Sequence, residues 1–264
     1  MAAARAWLFL ALSALAGSVA CAVLLVLMRA PGLATLLPAR ALFPSVLALH
    51  VDLAIVVWFL AMASAWFSVH TRPGRGDGAA ATAGAIGAAT MVAGGLASGG
   101  DAVMNNYLPV LRSPLFGIGL VTFFAAVAFA AIRAIADPSE AGAPWERLGA
   151  RLAAGTTLVA FAAFAASLAG LPAGLDAHAR YEALFWAGGH VLQFTHGGLL
   201  LTLWLVLARE GGVLRAPPRV VSALLVLGAA PVLAAAGGYG DPVGSIAHRA
   251  WFTGLMRWGT WPAA

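Results

Sequence analysis

The chain has 264 residues, of which 62% are hydrophobic and only 9% charged, whereas a soluble domain carries roughly a quarter charged residues. That balance leaves too little polar surface for a single soluble core. Its 15 basic residues, all arginine, exceed the 10 acidic ones to give a net charge of +5, but they punctuate apolar runs and form no patch in the sequence, so a nucleic-acid partner is not indicated.

A bilayer core of ~30 Å needs roughly 20 apolar residues of helix, and runs of that length recur along the whole chain. The first run resembles a secretory signal, with Ser18-Val-Ala-Cys21 imitating a lipoprotein cleavage site. It continues through Leu27 and Met28, too long for a signal core, and reads as a span. Arginine, proline and glycine breaks then delimit spans near Ala6 to Met28, Ala41 to Val69, Ala79 to Ser98, Pro114 to Ile135, Leu148 to Leu171, Tyr181 to Ala208 and Val220 to Ala236. The last stretch, Ile246 to Ala264, places Trp251, Phe252, Trp258 and Trp261 among Arg249 and Arg257, which suits an interfacial segment. The predicted fold is therefore all-α: a polytopic transmembrane helix bundle of about seven spans plus a C-terminal interfacial segment, with residues 1–264 as a single membrane domain.

The third span is mostly alanine and glycine, and small residues at four-residue spacing let helix backbones approach closely. Cys21, the single cysteine, lies inside the first run and offers neither a disulfide framework nor a thiolate metal site. If the spans alternate, nine arginines (5, 72, 75, 133, 147, 151, 209, 215 and 219) fall on one side and five (29, 40, 112, 180 and 249) on the other. The positive-inside rule then places the N-terminus in the cytoplasm of a bacterial-type inner (plasma) membrane.

Ionisable residues inside spans are costly and point to function, so the histidines carry the most information. His70 and His178 read as solvated loop residues. His50 lies about nine residues in from the non-cytoplasmic end of the second span, and His190 about nine residues in from the same side of the sixth. At 1.5 Å per residue both imidazoles sit ~13 Å deep, and His248 lies just past the outer end of the seventh span. Three histidines gathered toward one side suit either metal or haem ligation in a helix bundle or hydrogen bonding between helices. His196, six residues after His190, is turned ~600° around the helix and faces elsewhere. Asp52 cannot share a face with His50; a structural hydrogen bond and a proton-path role are both open to it. Gly188 and Gly189 leave room for a planar cofactor or for helix packing.

The segment Ala183-Leu-Phe-Trp186-Ala-Gly-Gly-His190 is similar to the Phe-Trp-x-x-Gly-His motif of subunit I of the haem-copper oxygen reductases (cytochrome c oxidase), closest to the B-type branch, where that histidine binds copper. Asp241-Pro-Val-Gly244-Ser-Ile-Ala-His248-Arg249 resembles the family's Pro-Val-Gly followed by a His-His pair, and Leu49-His50 falls where the family places an axial ligand of the low-spin haem. The resemblance implies His50 as a haem ligand, His190 and His248 as copper ligands, other oxidase subunits and cytochrome c or a similar donor as partners in a lipid membrane, and electron transfer to oxygen in aerobic respiration. It covers the first seven of the family's twelve or so helices, which implies the front part of a longer protein, with the ending at Trp261-Pro-Ala-Ala like a span interrupted at its threshold. The sequence also departs from the family. Arg249 replaces one copper histidine, and a guanidinium is no ligand at ordinary pH. Phe194 stands where oxidases of the A and B branches place a cross-linked tyrosine. These departures support a second expectation, a non-catalytic haem- or copper-binding or assembly protein derived from the same bundle.

Overall fold

In the computed structural model, residues 1–32, 39–97, 99–138 and 142–260 are described, without the side chains of 39 and 40. Among them, seven helical stretches are long and apolar enough to cross a membrane: Ala2–Leu27, Ala41–Val69, Asp77–Ala97, Pro114–Ala136, Pro144–Ala169, Ala177–Glu210 and Pro218–Gly240. Each lies within a few residues of a sequence-predicted span. The protein is an all-α polytopic membrane protein. Large apolar side chains such as Phe9, Val121 and Leu233 point outward while Ser18, Asp52 and Thr195 are buried, the reverse of a soluble surface and what lipid as solvent requires. The predicted ending Trp261-Pro-Ala-Ala lies outside the described residues, as does Ser98.

We label the elements α1 (Ala2–Leu27), α2 (Ala39–Val51), α3 (Trp58–Val69), α4 (Asp77–Ala97), β1 (Ala102–Val103), β2 (Val110–Leu111), α5 (Pro114–Ala136), α6 (Pro144–Ala169), α7 (Ala177–Glu210), α8 (Pro218–Ala229) and α9 (Ile246–Gly259). A π-helical turn, Asp52–Val57, joins α2 to α3 within one span, and a 3₁₀ stretch, Ala230–Gly240, completes the span begun by α8. The helical packing divides the chain into two compact units, Met1–Ala65 with Gly74–Phe129, and Trp66–Pro73 with Ala130–Ala264.

In the first unit, α4 approaches its neighbours through its glycines. The Trp7 ring of α1 occupies the space a side chain at Gly84 would need, and the backbone of Phe123 lies where a side chain at Gly87 would go. Trp7 is 1% exposed as a result. This is the close approach that the alanine- and glycine-rich third span predicts. A short antiparallel hairpin, pairing Ala102 with Leu111 and Val103 with Val110, links α4 to α5. Its loop is closed by Asn105, whose Oδ1 accepts the N–H groups of Tyr107 at 3.1 Å and Leu108 at 2.9 Å. No alternation in the sequence announces strands of two residues each.

In the second unit, α6 and α7 run antiparallel: Phe164 near the end of α6 packs on Gly188, and Gly149 near its start lies under Thr202. Between those contacts the Thr156 and Thr195 hydroxyls are hydrogen-bonded at 2.8 Å, so neither buried group is left unmatched. Ala160, Ala163, Ala187, Val191, Phe194, Val232, Ala235 and Phe252 form the core beneath them. Asp176 caps α7 by accepting the N–H of Ala179 at 2.8 Å, and Ser245 caps α9 by accepting that of His248 at 3.1 Å. Helix α9 reaches the 3₁₀ stretch because Gly237 and Gly238 leave space filled by Trp251 and Phe252.

Candidate haem and metal site

His50 belongs to the first unit, at the last turn of α2 before the π-helical segment. Its Nδ1 lies 2.9 Å from both the main-chain oxygen and the hydroxyl of Ser18 on α1, and that hydroxyl donates to the His50 carbonyl at 2.9 Å. A carbonyl only accepts, so the Ser18 main chain places the imidazole proton on Nδ1 and turns the lone pair of Nε2 outward. This is the tautomer a ligating histidine adopts when its second nitrogen is tied to the backbone.

Two residues on, Asp52 is fully buried, and neither carboxylate oxygen has a hydrogen-bond partner among the described residues. It opens the π-helical turn, a local irregularity that recurs at functional positions in helices. The structural hydrogen bond open to Asp52 in the sequence is absent among the described residues.

His190 and His248 belong to the second unit, on α7 and α9. His190 is 2% exposed. Its Nδ1 donates to the carbonyl of Trp186 at 2.7 Å, and its Nε2 lies 3.3 Å from Oγ1 of Thr253 on α9. The Thr253 hydroxyl is also 2.8 Å from the Arg249 carbonyl. Trp186, one turn before His190, sets its ring centre 4.7 Å from that of the imidazole at a tilt of 45°, and the Arg249 guanidinium lies 5.4 Å from the Trp186 ring centre. Glu182, 6% exposed, lies about two turns before His190 on the same helix. The pair His190 and Trp186 on α7 thus faces Arg249 and Thr253 on α9.

His248 is fully buried, with ring centres 5.4 Å from Tyr239 and 5.0 Å from Phe252. The Gly244 N–H approaches its Nδ1 at 3.4 Å, and its Nε2 has no partner among the described residues. Burial and then the Arg249 charge push this imidazole below the ordinary histidine range, while Asp241 pulls it the other way. The neutral ring is the ligating form. The Gly244 contact, however, places its proton on Nε2, so ligation there requires that long hydrogen bond to yield.

The structure thus brings His190 and His248 into one neighbourhood and houses His50 in the other unit. Among the described residues no group of three or more His, Cys, Asp or Glu side chains is arranged to hold a metal ion. Tyr239, which the sequence reading passed over, supplies a phenol beside His248, but its hydroxyl turns to α6, to the Ala163 carbonyl at 2.6 Å and the Ser167 hydroxyl at 3.0 Å. Phe194 is a core residue. The space beside Gly188 is filled by the Phe164 ring, so that glycine serves helix packing. His70 is 9% exposed and packs 4.7 Å from the Trp66 ring, not in solvent as its loop position implied. His178 is exposed but lies on the first turn of α7.

Fold and site together define a polytopic helical membrane protein with histidines buried between its helices. The chain is 31% identical over 208 residues to an uncharacterized protein of Aquifex aeolicus (strain VF5), covering 77% of this chain and 52% of that protein. It is 26% identical over 242 residues to the uncharacterized protein RP382 of Rickettsia prowazekii (strain Madrid E), covering 78% of this chain and 46% of that protein. The chain spans about half the length of the curated relatives it matches. No family model matches the sequence, and no solved structure matches it.

Proposed function

We propose that the chain is the haem- and copper-binding part of a respiratory electron-transfer protein resembling subunit I of the haem-copper oxygen reductases. In this reading His50 holds the iron of a haem, His190 holds copper, and His248 is the second copper ligand. The observation that carries it is shared by His50 and His190. In both, Nδ1 is tied to a main-chain carbonyl, leaving Nε2 as the lone-pair nitrogen. Haem and copper, when bound, would accept and pass on electrons toward oxygen. Ser18 and Trp186 orient the imidazoles, and Tyr239 and Phe252, packed against His248, keep water from the second site.

A second reading, a haem- or copper-binding or assembly protein without catalysis, is favoured by one feature. The third copper ligand position is Arg249, and its guanidinium lies over Trp186. Both readings put the protein in a bacterial-type inner membrane with its N-terminus in the cytoplasm. The oxidase reading adds other oxidase subunits and a cytochrome c-like donor as partners.

The test is the optical spectrum and metal content of the purified membrane protein. His50→Ala abolishes the haem absorption, and His190→Ala removes copper while the haem band stays. A wild-type protein with neither haem absorption nor copper overturns both readings. Bound cofactor without oxygen consumption by the whole protein favours the second.

A further inference from the structure

Away from the histidines, one end of the second unit gathers arginines around a buried carboxylate. Asp137, just after α5, is 6% exposed. Its Oδ2 accepts the main-chain N–H of Arg72 at 3.2 Å and lies 3.6 Å from Nη2 of Arg133. Its carbonyl accepts Nη2 of Arg151 at 2.6 Å. Arg133 also donates to the carbonyl of Arg72 at 2.9 Å, and Arg147 to that of Gly142 at 2.6 Å. Three guanidiniums, from the end of α5 and the start of α6, are therefore positioned by main-chain carbonyls. A carbonyl fixes a guanidinium without neutralising its charge, and of the three Arg133 is in addition paired with the Asp137 carboxylate. Glu146, the other buried carboxylate at this end, is paired with Arg209. Even with Glu140, outside the described residues, set against them, the five arginines Arg72, Arg133, Arg147, Arg151 and Arg209 outnumber by one the local acids Asp137, Glu140, Glu146 and Glu210, the last of which also pairs with Arg209.

Position decides the ligand class. The two spans end at Ala136 and Pro144, which puts these arginines at the depth where hydrocarbon gives way to phospholipid headgroups. Arg147 and Arg151 are one turn apart on α6 and share a face. A guanidinium fork matches phosphate oxygens in a bidentate way that an ammonium does not. We propose that this end of the second unit is a binding site for the phosphate of an anionic phospholipid headgroup, contacted by Arg133, Arg147 and Arg151. The excess positive charge selects an anionic lipid over a zwitterionic one that carries the same phosphate.

Native mass spectrometry of the full chain in detergent, titrated with phosphatidylglycerol, phosphatidylcholine or inorganic phosphate, tests the site. The double variant Arg147→Gln with Arg151→Gln lowers phosphatidylglycerol affinity roughly tenfold and leaves phosphatidylcholine unchanged. Arg215→Gln with Arg219→Gln removes the same charge from the segment leading into α8 and changes it less than about twofold. Equal losses in the two double variants reduce the effect to bulk attraction and overturn the site. Equal affinity for the two lipids in the wild type overturns it too. Inorganic phosphate that displaces phosphatidylglycerol would assign the arginines to a soluble anion instead. If the glutamine pair fails to fold, Arg147→Lys and Arg151→Lys keep the charge and lose the fork. Each still weakens phosphatidylglycerol binding, and unchanged binding in both overturns the proposal.

Discussion

Asp52 and His50 are two residues apart, yet the fold treats them differently. His50 is matched through Ser18, whereas Asp52 is fully buried with both oxygens unmatched among the described residues. A buried polar group without a partner destabilises the state that contains it. Asp52→Leu, similar in size and apolar, is expected to raise stability by about 1–3 kcal/mol, read as a higher unfolding midpoint of the purified protein. A lowered midpoint would mean that the carboxyl gains a partner in the membrane-bound protein. The histidines were legible as intramembrane polar residues, but their surroundings were not. Ser18 is 32 positions from His50 and Thr253 is 63 positions from His190, and no spacing rule connects residues so far apart. His70 shows the same limit from the other side. Its place beside Pro73 and three polar neighbours reads as solvated, and the Trp66 contact that buries it arises from folding.

The spans themselves were legible because apolar length is a local property. Predicted and observed ends agree within a few residues, and the second span agrees at its far end, Val69. The irregularities inside the spans were not legible. Six residues of π-helix and eleven of 3₁₀ are as apolar as α-helix, so hydropathy does not separate them. Pro231, which lacks an N–H, and Gly237 and Gly238 mark the 3₁₀ stretch only in retrospect. Glycine in α7 had two readings, and the Phe164 ring on Gly188 resolves that position as packing. Gly188→Leu places a side chain where the ring and the Ala160 carbonyl already lie. It should destabilise the protein by about 1–3 kcal/mol or more through overpacking, with a lowered unfolding midpoint as the readout. Gly155, with open space beside it, provides the contrast: Gly155→Ala is expected to be neutral or slightly stabilising, as alanine is the better helix former.

For the whole molecule, the seven candidate spans among the described residues leave orientation a two-way choice, for which the arginine asymmetry and the positive-inside rule predict a cytoplasmic N-terminus. In a Cys21→Ser background, cysteines at Arg75 and Arg215 are expected to be protected from a membrane-impermeant thiol reagent in intact cells, and a cysteine at Arg112 to be labelled. The opposite pattern would invert the topology and place the arginine cluster at the outer headgroups.

The sequence by itself determined the solvent of this protein, its helical class and where its spans lie. Each follows from composition and apolar run length, quantities that need no knowledge of neighbours. It also marked His50, His190 and His248 as costly residues to bury. Only the tertiary structure decided which histidine nitrogen is tied to the backbone, that His190 and His248 share a neighbourhood, and that Asp52 is unmatched while three arginines, Arg72, Arg133 and Arg151, gather around Asp137. Apart from the one-turn contacts of His190 with Trp186 and of Arg133 with Asp137, those outcomes depend on contacts between segments that no local spacing rule connects. In lipid such contacts are set by the close fit of small residues and by the pairing of scarce polar groups, neither of which a run of apolar residues records.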